Sequence, residues 1–247
     1  MVKVVDKRKI LSFLKKSELE NSAIISIIHN EPQCSIFTDN EESPTGVIVK
    51  DDHFSYIYYI EKTFLDKLDQ CDFCNQHQSF AVVSEGIYKE LKEKYKLQWV
   101  SKSFVYYLPK KCISNNDSGT LDKIHIKDAE KINEYYTYKE QEGLSYIINS
   151  IEKRPSSALY ANDTLISSAM VHNNNSIGML YTSKEYRNRG YGKKVTLDLC
   201  RKLVSEDITP IAYITEENIP AIKLFQGCGF KELGTAYWFG ILNVKHS

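Results

Sequence analysis

The segment Tyr186-Arg-Asn-Arg-Gly-Tyr-Gly-Lys-Lys194 constrains the fold more than any other part of this 247-residue chain. It lies between the apolar run Ile177–Thr182, which predicts a strand, and residues 191–204, whose apolar spacing predicts a helix. Glycines allow the backbone to turn tightly, and a helix N-terminus presents unpaired N–H groups that favour anions. Five basic residues within 184–194 accompany one acidic residue, Glu185. We therefore predict an anion-binding turn that suits a pyrophosphate; a charged turn facing solvent is the alternative.

The spacing of the glycines in this turn argues against two common nucleotide sites. The phosphate-binding loop of many ATPases needs G-x-x-x-x-G-K-[ST], which Gly190-Tyr-Gly-Lys-Lys194 does not match. A dinucleotide-binding turn needs G-x-G-x-x-G, and no third glycine follows three residues after Gly192. ATP and NAD are therefore disfavoured as ligands.

The second half of the chain has an α+β pattern around this turn. Helices are predicted at 128–138, 143–152, 191–204 and 218–226, and strands at 157–160, 165–172, 177–182, 210–215, 230–233 and 236–242. Turns at 162–163 and 173–175 join the first three strands into an antiparallel meander. The succession of strand, helix and strand then implies a right-handed crossover, which makes 210–215 parallel to 177–182.

Several motifs occur here in the order of one enzyme family. They are Ile126-Lys-Asp-Ala-Glu-Lys-Ile132, Ala158-Leu-Tyr160, Ile177-Gly-Met-Leu-Tyr-Thr182, Glu185-Tyr-Arg-Asn-Arg-Gly-Tyr-Gly192, Asn218-Ile-Pro-Ala221, Leu224-Phe225 and Gly229-Phe230. Over residues 121–242 the chain resembles the GNAT superfamily of acyl-CoA-dependent N-acyltransferases, and within it the branch that includes glycine N-acyltransferase. The resemblance implies the GNAT fold, which is α+β with a mixed, mostly antiparallel sheet flanked by helices.

The resemblance also implies how coenzyme A is held. Acetyl-CoA or another acyl-CoA would be the co-substrate, without a metal. The backbone of Leu180, Tyr181 and Thr182 would pair with the pantetheine arm as an added strand would. The other contacts would come from Arg187, Asn188, Arg189, Gly190, Tyr191, Gly192 and Lys193 at the pyrophosphate, and from Asn218 and Phe225 at the opposite wall. Pantetheine carries two amides, each costing about 1–3 kcal/mol if buried unpaired, so the edges of two diverging strands suit it.

Two positions depart from the family pattern. The family often has a tyrosine that protonates the departing thiolate, and this sequence has Phe225 there. The branch commonly has a glutamate general base eleven residues before Arg187, and this sequence has Ser176 there. The hairpin turn brings His172 close to Ser176, so His172 is a candidate base, acting directly or through water. A structural turn histidine is the alternative, and an acceptor of low pKa or a water chain to solvent would need no base.

The function implied by the resemblance is enzymatic. A short acyl group, most simply acetyl, would pass from acyl-CoA to a primary amine of a small molecule in a ternary complex. Direct attack is expected because no Cys or Ser lies in a nucleophile motif beside a base. Two alternatives stay open: a non-catalytic acyl-CoA-binding or sensing module, and a protein N-acetyltransferase.

Composition and charge limit which binding partners and which cellular location we expect. Thirty-two basic and 32 acidic residues give zero formal charge, which disfavours a role in nucleic-acid binding. No apolar run approaches the roughly 20 residues that span a bilayer, and the charged N-terminus is unlike a signal peptide. We expect a cytoplasmic protein with six reduced cysteines. The spacing Cys71-x-x-Cys74-x-x-His77 is zinc-like, but no second Cys/His pair follows at the usual distance, and a turn is the preferred interpretation.

The turn-forming run Ser114-Asn-Asn-Asp-Ser-Gly119 predicts a boundary between domains at 1–118 and 119–247. The first half reads as helices at 6–16, 63–69 and 87–95, and strands at 23–29, 33–38, 45–50, 54–60, 80–83 and 103–108. This order resembles a diverged GNAT-like half without the R-x-x-G-x-G turn. Only the second half is therefore expected to bind coenzyme A, and the first would shape the acceptor cleft. The sequence leaves the oligomeric state open.

Overall fold

The computed structural model describes residues 1–4, 6–70, 78–113, 120–137 and 139–245. The chain divides into two compact units. The first unit comprises Met1–Phe104 and Gly234–Ser247, and the second unit comprises Val105–Leu233. The first unit ends at residue 104, before the predicted boundary at 118/119. The turn-forming run 114–119 lies outside the described residues. Residues 234–247 also belong to the first unit, and a single boundary placed from local composition cannot show this.

The order of helices and strands is the same in the two halves of the chain. The first half contains β1 (Val2–Lys3), α1 (Lys7–Leu14), α2 (Ser22–Asn30), β2 (Ser35–Thr38), β3 (Gly46–Lys50), β4 (Ser55–Tyr59), α3 (Thr63–Gln70), β5 (Gln78–Ser84), α4 (Glu85–Lys94) and β6 (Tyr95–Tyr107). The second contains α5 (Ala129–Tyr135), α6 (Lys139–Lys153), β7 (Ser156–Ala161), β8 (Thr164–Val171), β9 (Ile177–Thr182), α7 (Tyr191–Ser205), β10 (Ile211–Thr215), α8 (Ile219–Gly227) and β11 (Lys231–Lys245). After β1, each half reads α-α-β-β-β-α-β-α-β.

The first unit is built on one sheet. Six of its strands lie in the order β1-β2-β3-β4-β5-β11, and β6 follows β11 in the same sheet. Among the first six, neighbours are antiparallel except β4 and β5, which are parallel with Ser55 beside Phe80. Phe80 of β5 stacks on Phe239 of β11 with ring centres 5.2 Å apart, and both rings are fully buried. This pairing and stacking tie the C-terminal strand to the first unit.

The strand predicted at 23–29 is wrong, because these residues lie in α2. Isoleucine-rich runs favour strands by propensity. Ile24, Ile27 and Ile28 also recur at helical spacing, however, and all three are buried in one apolar core with α1. Burial of that helical face outweighs the local β-propensity.

Two strands differ in length from the prediction. β6 begins at Tyr95, eight residues before the predicted start at 103. β11 is continuous where separate strands were predicted at 230–233 and 236–242. Gly234 lies inside β11 at φ 154°, a conformation that glycine adopts freely, so the strand continues through it.

The second unit is layered around the antiparallel meander β7-β8-β9, as predicted. Ala158 of β7 belongs to an apolar core with Ile132 of α5 and Ile147 of α6. The adjacent Ser157 instead donates its hydroxyl to Asp198 of α7 at 2.6 Å. Successive side chains of a strand face opposite sides, so α5 and α6 cover one face of the meander and α7 covers the other.

Candidate functional site

Strands β9 and β10 meet at one end and then part. Ser176, just before β9, forms a parallel bridge with Ile211 at the start of β10. β9 belongs to the three-stranded sheet, and β10 does not. The parallel relationship predicted between these strands is therefore present at their N-terminal ends. Leu180, Tyr181 and Thr182 lie at the far end of β9, beyond the point where the strands separate.

A bulge interrupts β9 at Met179. Met170 of β8 pairs with Gly178 and Ser168 pairs with Tyr181, so β9 has one residue more than β8 between these pairs. Met179 has φ 48°, which is uncommon for a residue with a side chain. Bulges bend a strand and leave the extra residue out of the ladder. This bulge frees backbone polar groups of β9 for a partner outside its own sheet.

The predicted anion-binding turn follows β9 directly. The Arg187 Nε donates to the Thr182 carbonyl oxygen at 3.0 Å, which holds the turn against the end of the strand. Asn188 and Gly190 both have left-handed backbone conformations, with φ 61° and 81°. Such turns are strained for most side chains and natural for glycine. They reverse the chain so that α7 begins immediately after Gly190.

The first turn of α7 presents free amides. Lys194 N–H donates to the Gly190 carbonyl at 3.0 Å and is the first amide bonded within the helix. The amides of Tyr191, Gly192 and Lys193 precede it, where a helix offers no internal acceptor. A Cβ built at Gly190 would meet no atom within 4 Å, so space is open beside the turn. The geometry fits an anion held by backbone N–H groups.

Side chains around the turn add positive charge. The Arg189 guanidinium lies 5.6 Å from the ring centre of Tyr186, and the Tyr186 and Tyr191 rings are 6.1 Å apart. Arg189 and Lys193 are both exposed. A Cβ built at Gly192 would lie 3.6 Å from the Thr182 hydroxyl oxygen, an ordinary contact, so the start of α7 lies close to the end of β9.

The opposite wall predicted from the sequence contains α8. Asn218 is the N-cap of α8 and accepts a hydrogen bond from Ala221 N–H at 3.2 Å. Its side-chain oxygen thus stabilises the helix start. Phe225 is 2% exposed and packs edge-on against Phe230, with ring centres 4.8 Å apart. Phe225 offers packing surface and no proton.

The two predicted catalytic positions lie together across the β8–β9 turn. His172 N–H donates to the Ser176 carbonyl at 2.9 Å. The Ser176 hydroxyl donates to the Asn174 side chain at 2.7 Å, and Ser176 is 4% exposed. The side chain of Ser176 therefore belongs to the hairpin turn and is not a base.

The environment of His172 disfavours a general base. Burial, with a smaller contribution from the positive charge of Arg154, lowers the pKa of the imidazole from its usual 6.5 to about 4. The imidazole is therefore neutral at pH 7 and has little affinity for a proton. Its Nδ1 is already engaged by the Tyr146 hydroxyl at 2.9 Å. No local motif in the sequence marks this partner, because Tyr146 lies 26 residues away on α6.

No helix in the part of the chain that the structure describes is both long and apolar enough to cross a membrane. Among the same residues, no three or more His, Cys, Asp or Glu side chains come together as metal ligands would. The zinc-like cysteines Cys71 and Cys74, with His77, lie outside the described part of the chain.

This architecture is the GNAT fold, and comparisons with known proteins agree. Residues 147–239 match the family model described as FR47-like protein. A Drosophila protein of known structure is 14% identical over 98% of each chain, with a TM-score of 0.80. A GNAT-family acetyltransferase from Colwellia psychrerythraea is 14% identical over 98% of this chain and 99% of its own, with a TM-score of 0.58.

A tandem GNAT protein from the clavulanic acid biosynthesis pathway, solved without acetyl-CoA, is also similar. It is 10% identical, covers 100% of this chain and 99% of its own, and has a TM-score of 0.58. No curated protein matches the sequence. At these identities the likeness to solved structures establishes the fold, which is α+β with a mostly antiparallel sheet flanked by helices, as predicted.

Proposed function

We propose that the second unit binds acyl-CoA and transfers a short acyl group, most simply acetyl, to a primary amine of a small molecule. Pantetheine lies along the free edge of β9, and its amides pair with the backbone of Leu180, Tyr181 and Thr182. The pyrophosphate lies on the amides of residues 187–193. The wall formed by Asn218 and α8 flanks the other side.

One observation carries this proposal. Within the second unit, the strand that parts from β10 leads directly into the turn that carries three free helix amides. A ligand with a pyrophosphate joined to an extended diamide arm matches both features at once. A simple phosphate would use the turn and leave the strand edge unpaired. Residues 147–239, which match the FR47-like family model, include both features.

The reaction proceeds by direct attack. The amine nitrogen bonds to the thioester carbonyl carbon, the C–S bond breaks, and coenzyme A leaves as a thiolate. The proton lost by the amine passes to water. An alkyl amine with a pKa near 10.4 is neutral only about once in a thousand molecules at pH 7.4, a deficit of about 4 kcal/mol. Because neither Ser176 nor Phe225 offers acid–base chemistry, an acceptor amine of lower pKa suits this site.

Release of coenzyme A tests the proposal. The full chain is incubated with acetyl-CoA and a panel of small amines of different pKa, and free thiol is followed with time. Calorimetry with coenzyme A measures binding separately. Steady release with at least one amine supports the enzyme. Absence of any binding of coenzyme A or acetyl-CoA refutes the proposal.

The first prediction is that Gly190→Val weakens coenzyme A binding at least about 10-fold. Gly190 has φ 81°, where a β-branched residue is strained, so the backbone that carries the amides must shift. The matched control is Gly86→Val in α4, where a Cβ meets no atom within 4 Å. Calorimetry gives both affinities, and circular dichroism checks folding. Unchanged affinity in folded Gly190→Val would mean that the pyrophosphate lies elsewhere.

A second candidate function is a non-catalytic acyl-CoA-binding module. It is favoured by the buried, hydroxyl-free Phe225 and by the use of the Ser176 hydroxyl within the turn. Tight binding of acetyl-CoA without thiol release, for every amine tested and up to pH 9.5, would identify this module. Release that rises with pH as the amine loses its proton would identify the enzyme.

A further inference from the structure

The imidazole of His172 lies across Gly178 of β9. A Cβ built on Gly178 would lie 2.7 Å from His172 Cδ2 and closer still to Nε2. Real Cβ atoms do not come this close to another atom, so no side chain fits at position 178 while the ring stays in place. Gly178 pairs with Met170 of β8, and the bulge residue Met179 follows it directly. The ring therefore covers the last paired residue of β9 before the bulge.

Contacts from several directions hold the ring in this position. The backbone N–H of His172 donates to the Ser176 carbonyl at 2.9 Å, which closes the hairpin turn. Nδ1 and the Tyr146 hydroxyl share a hydrogen bond of 2.9 Å, whichever of the two carries the hydrogen. Tyr136 packs against the imidazole with ring centres 6.2 Å apart. Tyr146 belongs to α6 and Tyr136 directly follows α5, so the two helices fix the ring over β9.

The ring blocks one alternative position of the bulge. A bulge moves along a strand when the two strands slip past each other by one residue between the turn and the bulge. If the extra residue lay one position earlier, Met179 would stand opposite Met170, and its side chain would need the space that the imidazole fills. Leu180 would then stand opposite Ala169 as a regular ladder residue. Met179 has φ 48°, and such a conformation persists only where the surroundings impose it.

Contacts of Tyr181 and Ser167 oppose movement of the bulge in the other direction. Tyr181 stands opposite Ser168 and is 9% exposed, in the apolar core that α5 and α6 share with the meander. The Ser167 hydroxyl bonds to the Tyr181 carbonyl at 3.0 Å and to the Thr182 hydroxyl at 2.9 Å. A bulge one position later would make Tyr181 the extra residue and remove it from this pairing. The ring over Gly178 is therefore the contact that limits the bulge on the side of the turn.

We propose that His172 and Gly178 form a register lock, in which the ring over the glycine holds the bulge at Met179. The lock determines which backbone groups of β9 receive the pantetheine arm. His172 is a positioning residue in this role, and no proton transfer is involved. The inference rests on the proposed function, in which the backbone from Leu180 onward pairs with the amides of the arm. A bulge one residue earlier would present a displaced strand edge to the same amides.

The position of the bulge can be measured without ligand or activity. In the full chain labelled with 15N and 13C, nuclear Overhauser contacts between backbone protons report which residues stand opposite each other. We expect Met170 to contact Gly178 alone in the wild type. In His172→Ala we expect a second contact, from Met170 to Met179, as the earlier bulge becomes populated. A His172→Ala variant that keeps only the contact from Met170 to Gly178 would overturn the lock.

Two ligands separate a positioning role from a general loss of stability. Coenzyme A uses the strand edge and the turn, whereas 3′-phospho-ADP, its nucleotide part, uses the turn alone. We expect His172→Ala to weaken coenzyme A binding about 10-fold, the effect of one or two lost hydrogen bonds, and to change the affinity for 3′-phospho-ADP less than about twofold. Equal losses for both ligands, or no loss for either, would overturn the lock.

Asn174→Ala is the matched control for this comparison. It removes the partner of the Ser176 hydroxyl in the same turn and leaves the ring over Gly178 in place. The affinities for coenzyme A and 3′-phospho-ADP should both stay within about twofold of the wild type. A loss of coenzyme A affinity as large as that of His172→Ala would show that any weakening of the turn has this effect, which would also overturn the lock.

Two further variants test the packing of the ring on the glycine. His172→Phe keeps a flat ring over Gly178 and should bind coenzyme A within about threefold of the wild type, unlike His172→Ala. Gly178→Ala must displace the imidazole and should weaken binding as His172→Ala does. In the His172→Ala background its methyl group has room and should cost less than about threefold more. Losses that multiply would overturn the pairing. If Gly178→Ala does not fold, the Phe and Ala variants of His172 decide the question.

Failure of this inference differs from failure of the proposed function. A protein that binds coenzyme A, and whose His172→Ala variant keeps both the affinity and the bulge, retains the function and loses the lock. A protein that binds no acyl-CoA loses the function, and the contacts of Met170 then still show whether the ring holds the bulge.

Discussion

Acid should destabilise the second unit through His172, and replacing this residue should remove the effect. In the folded chain the pKa of the imidazole is lowered from 6.5 to about 4, chiefly by burial. Below pH 6.5 the His172 imidazole therefore gains a proton in the unfolded chain, whereas in the folded chain it stays neutral until about pH 4. The free energy of unfolding must fall across this interval as the pH falls.

The size of the effect follows from the two pKa values. At about 1.36 kcal/mol per pKa unit, the lowered pKa of His172 implies a loss of about 3 kcal/mol by pH 4, of which about 2 kcal/mol is lost by pH 5. The side chains placed near the ring are those of Tyr136, Tyr146 and Arg154, and none of these three is a carboxylate or a second histidine. Carboxylates with lowered pKa values, such as that of Asp39 at about 2, contribute only at lower pH.

Urea unfolding followed by circular dichroism at several pH values between 5 and 7.5 measures this loss. His172→Gln cannot take up the proton and should lose about 2 kcal/mol less than the wild type between these limits. His125→Gln is the matched control, because it removes an exposed histidine from the same unit. Equal slopes for wild type and His172→Gln would refute the conclusion that burial lowers the pKa of His172.

The remaining predictions concern stability and stoichiometry. Asp198 is 1% exposed and accepts from Ser157 at 2.6 Å and from Lys202 at 3.0 Å, so Asp198→Asn should lower the free energy of unfolding by about 3 kcal/mol in urea titrations. The pair of Asp163 and Lys127 is exposed, so Asp163→Asn should leave the free energy of unfolding nearly unchanged and is the control. Calorimetry should give one coenzyme A per chain; two would place a second site in the first half.

The sequence was most informative where local chemistry decides the structure. The strand Ile177–Thr182 and the helix start at Tyr191 were predicted as they occur, because a turn of glycines and charges separates two clear apolar patterns. The contact of His172 with Ser176 was predictable too, since a three-residue turn between antiparallel strands brings its ends together. These features depend on neighbours within about ten residues.

Features set by distant packing were not predictable from the sequence. Residues 23–29 fold as a helix because a buried core with α1 selects their helical face over their β-propensity. The pairing of β11 with β5 joins segments about 150 residues apart, and no local composition marks it. Likewise, no local pattern marks the contact of Tyr146 with the His172 ring, which disfavours a general base. A pKa depends on what covers a group, and covering residues come from anywhere in the chain.

The repeated order of helices and strands gives two similar frameworks, but only one has the parts of the proposed site. In the first half β4 and β5 are neighbours in one sheet, whereas in the second β9 and β10 belong to different sheets and meet at a single described bridge. Three residues, Ile60-Glu-Lys62, join β4 to α3, whereas eight join β9 to α7. The shorter connection has no glycine with which to make a left-handed turn. It has one acidic and one basic residue, whereas the longer connection has three basic residues and one acidic residue. In the proposed site, the pantetheine arm needs a pair of strands that separate. The pyrophosphate needs a following connection that is long enough to turn its amides toward an anion. Of the two halves, only the second combines these features among the described residues.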